Sequence, residues 1–178
     1  LGDISGSGKR YCLLSNIFAN PYLQCSNNCL YNQVSFHNNF CNNYLVKITH
    51  KPQNETIQLI KTNLIVVPND LINYWIELVK KFKLSYWILK YEHDLKETLQ
   101  EYNNICITLI SSHLYNKFYN KYREISETQN YIFSRVVFDK ADSININNCK
   151  EINSIFYWFL TNQPQNLIFP LGKYHNKV

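Results

Sequence analysis

The sequence predicts an α/β domain in which a doubly wound, mostly parallel sheet is covered by helices on both faces. Segments with the apolar spacing of a helix alternate with short apolar segments along most of the 178 residues. Several short segments are continuously apolar, which is typical of parallel strands buried on both sides. Hydrophobic residues make up 46% of the chain and aromatic residues 15%, which is enough to form one core, so we expect a single domain over residues 1–178.

The first predicted helix follows a glycine-rich turn. Residues 1–10 contain three of the four glycines of the chain, and residues 11–20 place their apolar side chains on one helical face. Pro21 is expected to end this helix, because proline cannot continue the hydrogen-bond pattern. Residues 22–43 are rich in Asn and Cys and have no periodicity, which predicts a loop insertion.

The remaining elements alternate between strand and helix patterns. Residues 63–67 are dense in β-branched side chains, whereas residues 69–82 place apolar residues three and four positions apart. The predicted elements, in chain order, are strands at 44–49, 56–60 and 63–67, a helix at 69–82, a strand at 85–89, a helix at 93–102, a strand at 105–110, a helix at 113–122, and strands at 132–138 and 155–160.

Charge and composition limit the classes of partner. The net charge is +5, but the lysines and arginines are scattered, so the charge permits nucleic-acid binding without requiring it. No apolar run reaches the roughly 18 residues that a membrane span needs. No secretory signal opens the sequence. We therefore expect an intracellular protein that is not secreted and has no contact with a membrane.

The cysteines do not form a recognisable disulfide pattern. Cys12 and Cys106 fall inside helix and strand patterns, where a thiol is most often a small buried apolar group. Four residues of the insertion are of types that bind zinc, namely Cys25, Cys29, His37 and Cys41. Their spacing is loose, so free thiols in a loop are favoured over a zinc site.

Two segments are typical of nucleotide sites. In Gly6-Ser7-Gly8-Lys9, backbone N–H groups and the start of a helix would point at an anion, and the lysine would reach its outer phosphates. Arg10 follows directly. Asp139 and Lys140 follow an apolar strand, at the carboxyl end where open α/β sheets bind ligands.

Three further segments also end predicted strands. Residues 64–68 form an apolar run closed by Pro68. Residues 107–112 end in two hydroxyl side chains, Ser111 and Ser112. Residues 158–164 end in the sequence Thr161-Asn162-Gln163-Pro164. Each motif is weak alone, and their order along the chain is what is informative.

With its motifs in this order, the chain from Gly6 to Leu167 resembles the first RecA-like ATPase domain of superfamily-two helicases, which are P-loop NTPases. The resemblance is greatest to the Swi/Snf-like, DEAD-type helicases of large DNA viruses. These carry GSGKT, LIVVP…L…W, a strand ending in Ser or Thr, FDEADS and TATP in the same order. The resemblance implies ATP-driven work on nucleic acid with ATP and Mg²⁺ as cofactors, and a viral protein of the host cytoplasm or the virion.

The resemblance also implies roles for individual residues. Lys9 would hold the β- and γ-phosphates in a nucleotide site, and Asp139 would orient Mg²⁺. The other residues of that nucleotide site would be Gly6, Ser7, Gly8 and Arg10. Thr161 and Pro164 would couple the site to a second RecA-like domain. The phosphate backbone of the bound strand would be contacted by Pro68, Ser111 and Ser112.

Four departures from the family pattern fall in the nucleotide motifs. Arg10 replaces the Thr or Ser that binds Mg²⁺, and Lys140 replaces the Glu that orients the attacking water. Asn162-Gln163 stands within the TATP-like motif, and Asp3 stands at the first glycine of the phosphate loop. A cation that faces the metal position opposes metal binding, and an ammonium group cannot replace a carboxylate as proton acceptor.

We therefore expect a helicase-like domain that binds nucleotide, nucleic acid or both, with impaired ATP hydrolysis. Arg10 and Lys140 could pair with phosphates and supply the charge of the metal. One alternative is a structural or virion-associated protein that uses the fold as a scaffold for a protein partner or a larger assembly. Another is a fragment of an active helicase, whose second RecA-like domain, absent from this sequence, would belong to the parent protein.

Overall fold

The computed structural model describes residues 6–22, 32–39, 43–50, 57–95, 98–126 and 130–164. Asp3, Cys25, Cys29 and Cys41 lie outside the described residues, and His37 lies on a strand that is described only by its backbone. The preference for free thiols over a zinc site and the predicted place of Asp3 in the phosphate loop therefore stay predictions.

The described chain forms three α-helices and seven strands. The helices are α1 (Lys9–Ala19), α2 (Ile72–Lys81) and α3 (Tyr115–Ser126). The strands are β1 (Asn32–Asn39), β2 (Asn43–His50), β3 (Ile57–Val67), β4 (Tyr86–Leu89), β5 (Ile107–Ser111), β6 (Asn130–Asp139) and β7 (Ser154–Leu160). Four short 3₁₀ segments occur at Asn69–Leu71, Glu92–Asp94, Leu99–Asn104 and Ser112–Leu114.

Five of the strands form one parallel sheet in the order β4-β5-β3-β6-β7. Strands β1 and β2 form a separate antiparallel pair. The long central strand β3 contacts β5 on one side and β6 on the other, with a register irregularity against β6 between Ile60 and Asn63. The prediction of an α/β fold with a mostly parallel sheet is confirmed.

Helices cover both faces of this sheet, and each face has its own hydrophobic cluster. On one face, α1 and α2 pack against β3, β5, β6 and β7 through residues such as Leu14, Trp75 and Ile65, all fully buried. On the other face, α3 packs through Phe118 and Tyr122 against Phe133 and its neighbours. Continuously apolar strands arise because both of their faces are covered.

Two predictions of local structure are wrong. The loop expected over residues 22–43 contains strand β1, because its backbone pairs with β2 although asparagine-rich sequence has low strand propensity. The helix expected over residues 93–102 is replaced by two 3₁₀ segments. The Asp94 carboxylate accepts the backbone N–H groups of Lys90 and Tyr91, which stabilises a turn instead of an α-helix.

Candidate phosphate-binding site

The carboxyl ends of β3 and β6 meet where the topology of the sheet changes direction. β3 continues through α2 to β4 on one side of the sheet, whereas β6 continues to β7 on the other side. The pairing of Val66 with Phe138 brings the end of β3 beside Asp139. Ligands of open α/β sheets bind at such a switch point, because the diverging connections leave a crevice.

The turn before α1 closes one side of this crevice. Gly6 and Gly8 have φ values of 84° and 81°, in the left-handed region that glycine adopts without strain. α1 begins at Lys9 with no side-chain cap and no acidic residue in its first turn. Lys9 Nζ lies 3.2 Å from Ser7 Oγ. Uncapped N–H groups and two cations therefore lie together at the positive end of the helix dipole.

A cleft of about 240 Å³ lies between this turn and the ends of β6 and β7. Among the described residues, its charged lining consists of three cations, Lys9, Arg10 and Lys140, and one carboxylate, Asp139. The other lining residues are Gly6, Ser7, Gly8, Tyr11, Leu71, Tyr74, Leu160, Thr161 and Asn162. The excess of positive charge at a helix N-terminus gives the cleft the electrostatics of an anion site.

The Asp139 carboxylate has two donors on the same oxygen. Arg10 Nε lies 2.8 Å from Asp139 Oδ2, and Trp75 Nε1 donates to that oxygen over the same distance. The Asp139 side chain is 3% exposed and the Arg10 side chain 26% exposed. The Arg10 guanidinium also lies 5.1 Å from the centre of the Tyr74 ring. Arg10 is therefore held by an ion pair with Asp139 and by a cation–π contact with Tyr74.

The resemblance implies Mg²⁺ at Asp139, but the residues around this carboxylate do not fit a magnesium ion. Mg²⁺ requires oxygen ligands, but the inner oxygen of Asp139 is engaged by a guanidinium and an indole. A divalent ion about 5 Å from the guanidinium would be repelled by about 7 kcal/mol at an effective dielectric constant of about 20. Within the described ranges, no group of three or more His, Cys, Asp or Glu side chains could hold a metal ion.

Lys140 lies in a tight turn directly after Asp139. Its φ is 51°, an unusual backbone conformation for a residue with a Cβ. Its carbonyl accepts the N–H groups of Ser143 and Ile144, which stabilises the turn. Lys140 lines the cleft, so this position supplies a cation and not a proton acceptor.

The ends of β6 and β7 are joined by side-chain hydrogen bonds. Thr161 Oγ1 donates to Asp142 Oδ1 over 2.6 Å, and the Gln163 N–H donates to Thr161 Oγ1. The Ala141 N–H donates to the Leu160 carbonyl. Pro164 is exposed and does not line the cleft. The proposed coupling role of Thr161 and Pro164 stays a prediction.

The residues expected to contact nucleic acid lie at the same edge of the sheet but outside the cleft. Pro68 and Ser112 are partly exposed. Ser111 is fully buried, and its hydroxyl lies 2.7 Å from His113 Nδ1. Pro68 and Ser112 are thus available to a ligand at this edge, whereas Ser111 is engaged within the protein.

The structure brings the predicted nucleotide residues together: Gly6, Ser7, Gly8, Lys9, Arg10, Asp139 and Lys140 all line one cleft. Sequence reasoning missed the contribution of α2 to this site. Trp75 on α2 is fully buried in the core, and its indole also donates to Asp139. Trp75 and its partner Asp139 are 64 positions apart in the sequence, and Tyr74 is equally far from Arg10. No spacing pattern connects residues at such a distance.

In comparisons with known proteins, no protein-family model matches the sequence and no curated protein matches it. Among the helices that the structure describes, none is both long enough and apolar enough to cross a membrane.

Proposed function

We propose that this chain is a RecA-like, helicase-type domain that binds the phosphate groups of a nucleotide, a nucleic acid or both, and that its ATP hydrolysis is impaired. The observation that carries the proposal is the cleft at the switch point, with three cations and one carboxylate beside an uncapped helix N-terminus. The parallel sheet, with helices on both faces, supports the choice of fold family.

Impaired hydrolysis follows from the side chains around Asp139. Its carboxylate is held by Arg10 and Trp75, and the next residue is Lys140. Loss of a general base alone typically lowers a rate by about 10²–10⁴. Among the described lining residues, the cleft has groups that bind an anion, whereas its one carboxylate is already held by Arg10 and Trp75 and is not placed to activate water.

The proposal is tested by equilibrium binding of ATP to the full chain, together with an assay for phosphate release. We expect binding without measurable turnover. Lys9→Ala should weaken ATP binding by about tenfold or more, because a charge-assisted contact to phosphate is lost. The matched control is Lys81→Ala, which removes the same charge at the far end of α2, outside the cleft.

Unchanged ATP binding in Lys9→Ala, or no binding by the native chain, would contradict the nucleotide site. Rapid phosphate release by the native chain would contradict the loss of hydrolysis and favour an active helicase fragment.

A protein scaffold is the second candidate, and the exposed aromatic residues of β7 favour it. Phe156 and Phe159 are 50% and 46% exposed, and within the described residues β7 pairs with β6 alone. Exposed apolar groups on a sheet edge are typical of interaction surfaces. If the scaffold is the main function, Phe156→Lys should abolish assembly with the partner, whereas Lys9→Ala should leave assembly intact.

A further inference from the structure

We propose that Arg10 takes the place of Mg²⁺ at Asp139, so that the cleft accepts a polyphosphate in its metal-free form. The inference rests on the proposed nucleotide binding and names the chemical state of the ligand. It starts from the disagreement between the Asp139 environment and a magnesium site.

The carboxylate of Asp139 is fixed from two helices. Arg10 approaches Oδ2 from the first turn of α1, and Trp75 approaches the same oxygen from α2. Trp75 is fully buried, so the indole cannot move aside without opening the core between α2 and the sheet. A metal ion at Oδ2 would have to displace a cation from an almost fully buried carboxylate. A metal ion at the other oxygen, Oδ1, would lie beside the guanidinium and be repelled by it.

The same guanidinium can still bind phosphate. Guanidinium has five N–H donors in a planar fork, and the bond through Nε to Asp139 uses one of them. Arg10 lines the cleft and keeps about a quarter of its side chain exposed. The bond to Asp139 leaves the other four N–H donors of Arg10 for a ligand in the cleft, which Lys9 and Lys140 line with two further positive charges.

Three cations can neutralise a polyphosphate to the extent that Mg²⁺ does in a metal-dependent site. A metal ion bound to the phosphates would bring its positive charge into a cleft that already has an excess of positive charge. The structure thus predicts that magnesium competes with the protein for the phosphates instead of bridging them to Asp139.

The test measures ATP binding to the full chain in EDTA and in excess magnesium. The native chain should bind ATP in EDTA at least as tightly as in magnesium. In Arg10→Thr, which removes the cation from Asp139 and places a hydroxyl beside Lys9, binding should become at least about tenfold tighter with magnesium than in EDTA. Lys81→Thr removes the same charge outside the cleft and should behave like the native chain.

Direct titration with Mn²⁺ in the absence of nucleotide provides a second readout. The native chain should bind no Mn²⁺ at the cleft, whereas Arg10→Thr should gain a site that the further change Asp139→Asn removes. Arg10→Lys, which keeps a cation, should gain no Mn²⁺ site and should bind ATP in EDTA at least as tightly as in magnesium, like the native chain.

Tighter ATP binding in magnesium by the native chain would overturn this inference and leave the proposed function standing. Equal ATP affinity of Arg10→Thr and the native chain in EDTA would also overturn it, because the guanidinium would then contribute nothing to phosphate binding. If neither the native chain nor any variant binds ATP under either condition, the proposed nucleotide binding fails and the inference with it. The comparison of the native chain with and without magnesium needs no variant to fold.

Discussion

Asp139 and Arg135 lie four residues apart on the same face of β6, but their charges are compensated differently. Asp139 is paired with a cation, Arg10. Arg135 is 2% exposed, and its Nη1 donates to the neutral amide oxygen of Asn63 over 2.8 Å. Burial lowers the pKa of the Arg135 guanidinium, and the nearby Cys106 thiol opposes this only in part. The buried charge at the carboxyl end of β6, where the cleft lies, is thus paired with an opposite charge, whereas the buried charge of Arg135 is paired with a neutral amide.

Tyr115 provides a prediction at the scale of one side chain. Its ring is 1% exposed and its hydroxyl donates to the Lys150 carbonyl over 2.6 Å. Burial, the largest cause, raises the pKa of this phenol far above its ordinary value of about 10. The folded state therefore holds the phenol proton more tightly than the unfolded state. The corresponding stability is fully present below about pH 10 and is lost as the pH rises above that value.

Tyr115→Phe should remove this alkaline dependence and lower the free energy of unfolding at neutral pH by about 1 kcal/mol, because one buried hydrogen bond is lost. Urea unfolding at neutral pH and above pH 10 measures both effects. Tyr91→Phe is the control for loss of a hydroxyl from an exposed tyrosine. An unchanged alkaline dependence in Tyr115→Phe would show that another group titrates.

At the scale of elements, Asn63 joins three parts of the fold. Its Nδ2 donates to the Pro21 carbonyl after α1 over 2.7 Å and to the Cys106 carbonyl before β5 over 2.8 Å. Its Oδ1 accepts from Arg135 on β6. One buried amide on β3 therefore connects the end of α1 with both neighbouring strands.

Asn63→Ala should lower the free energy of unfolding by about 3 kcal/mol, because the Pro21 carbonyl and the buried Arg135 guanidinium lose their partner. The Cys106 carbonyl loses the side-chain bond but keeps the backbone N–H of residue 63. Arg135→Met should change it by about 1 kcal/mol or less, since a buried charge is removed together with its desolvation cost. The double variant should cost less than the sum of the two single variants. Urea denaturation measures all three, and an Arg135→Met loss as large as that of Asn63→Ala would contradict this account.

The elements that sequence reasoning predicted correctly are those with strong local signals. The apolar runs ending at Val67, Ser111 and Asp139 are strands because both of their faces are covered. Leu99 and Tyr102, three residues apart and both buried, satisfy an α-helix and a 3₁₀ segment equally well, so spacing could not separate them. The residues around the cleft were found from motif order, but the Trp75–Asp139 bond depends on tertiary packing that no local pattern encodes.

At the scale of the whole molecule, stability should be greatest at the centre of the sheet. β3 has a strand on each side, and its residues enter both hydrophobic clusters. In the described part of the chain, β4 and β7 each pair on one side, and β7 exposes Phe156 and Phe159. Backbone amides exchange through openings whose cost depends on how much packing and pairing must be broken.

Native-state hydrogen exchange should therefore show the slowest exchange in β3, β5 and β6. The amides of β4 and β7 should exchange at least about tenfold faster, through partial openings that leave the central strands intact. The ATP complex should slow exchange in the first turn of α1 and in the residues after Asp139, while β4, remote from the cleft, serves as the internal control. Protection of β7 equal to that of β3 would contradict the prediction and indicate that another segment pairs with its outer edge.

Because Phe156 lies on β7, hydrogen exchange also tests the scaffold function. Binding of a protein partner should slow amide exchange in β7, whereas nucleotide binding should slow it around the cleft.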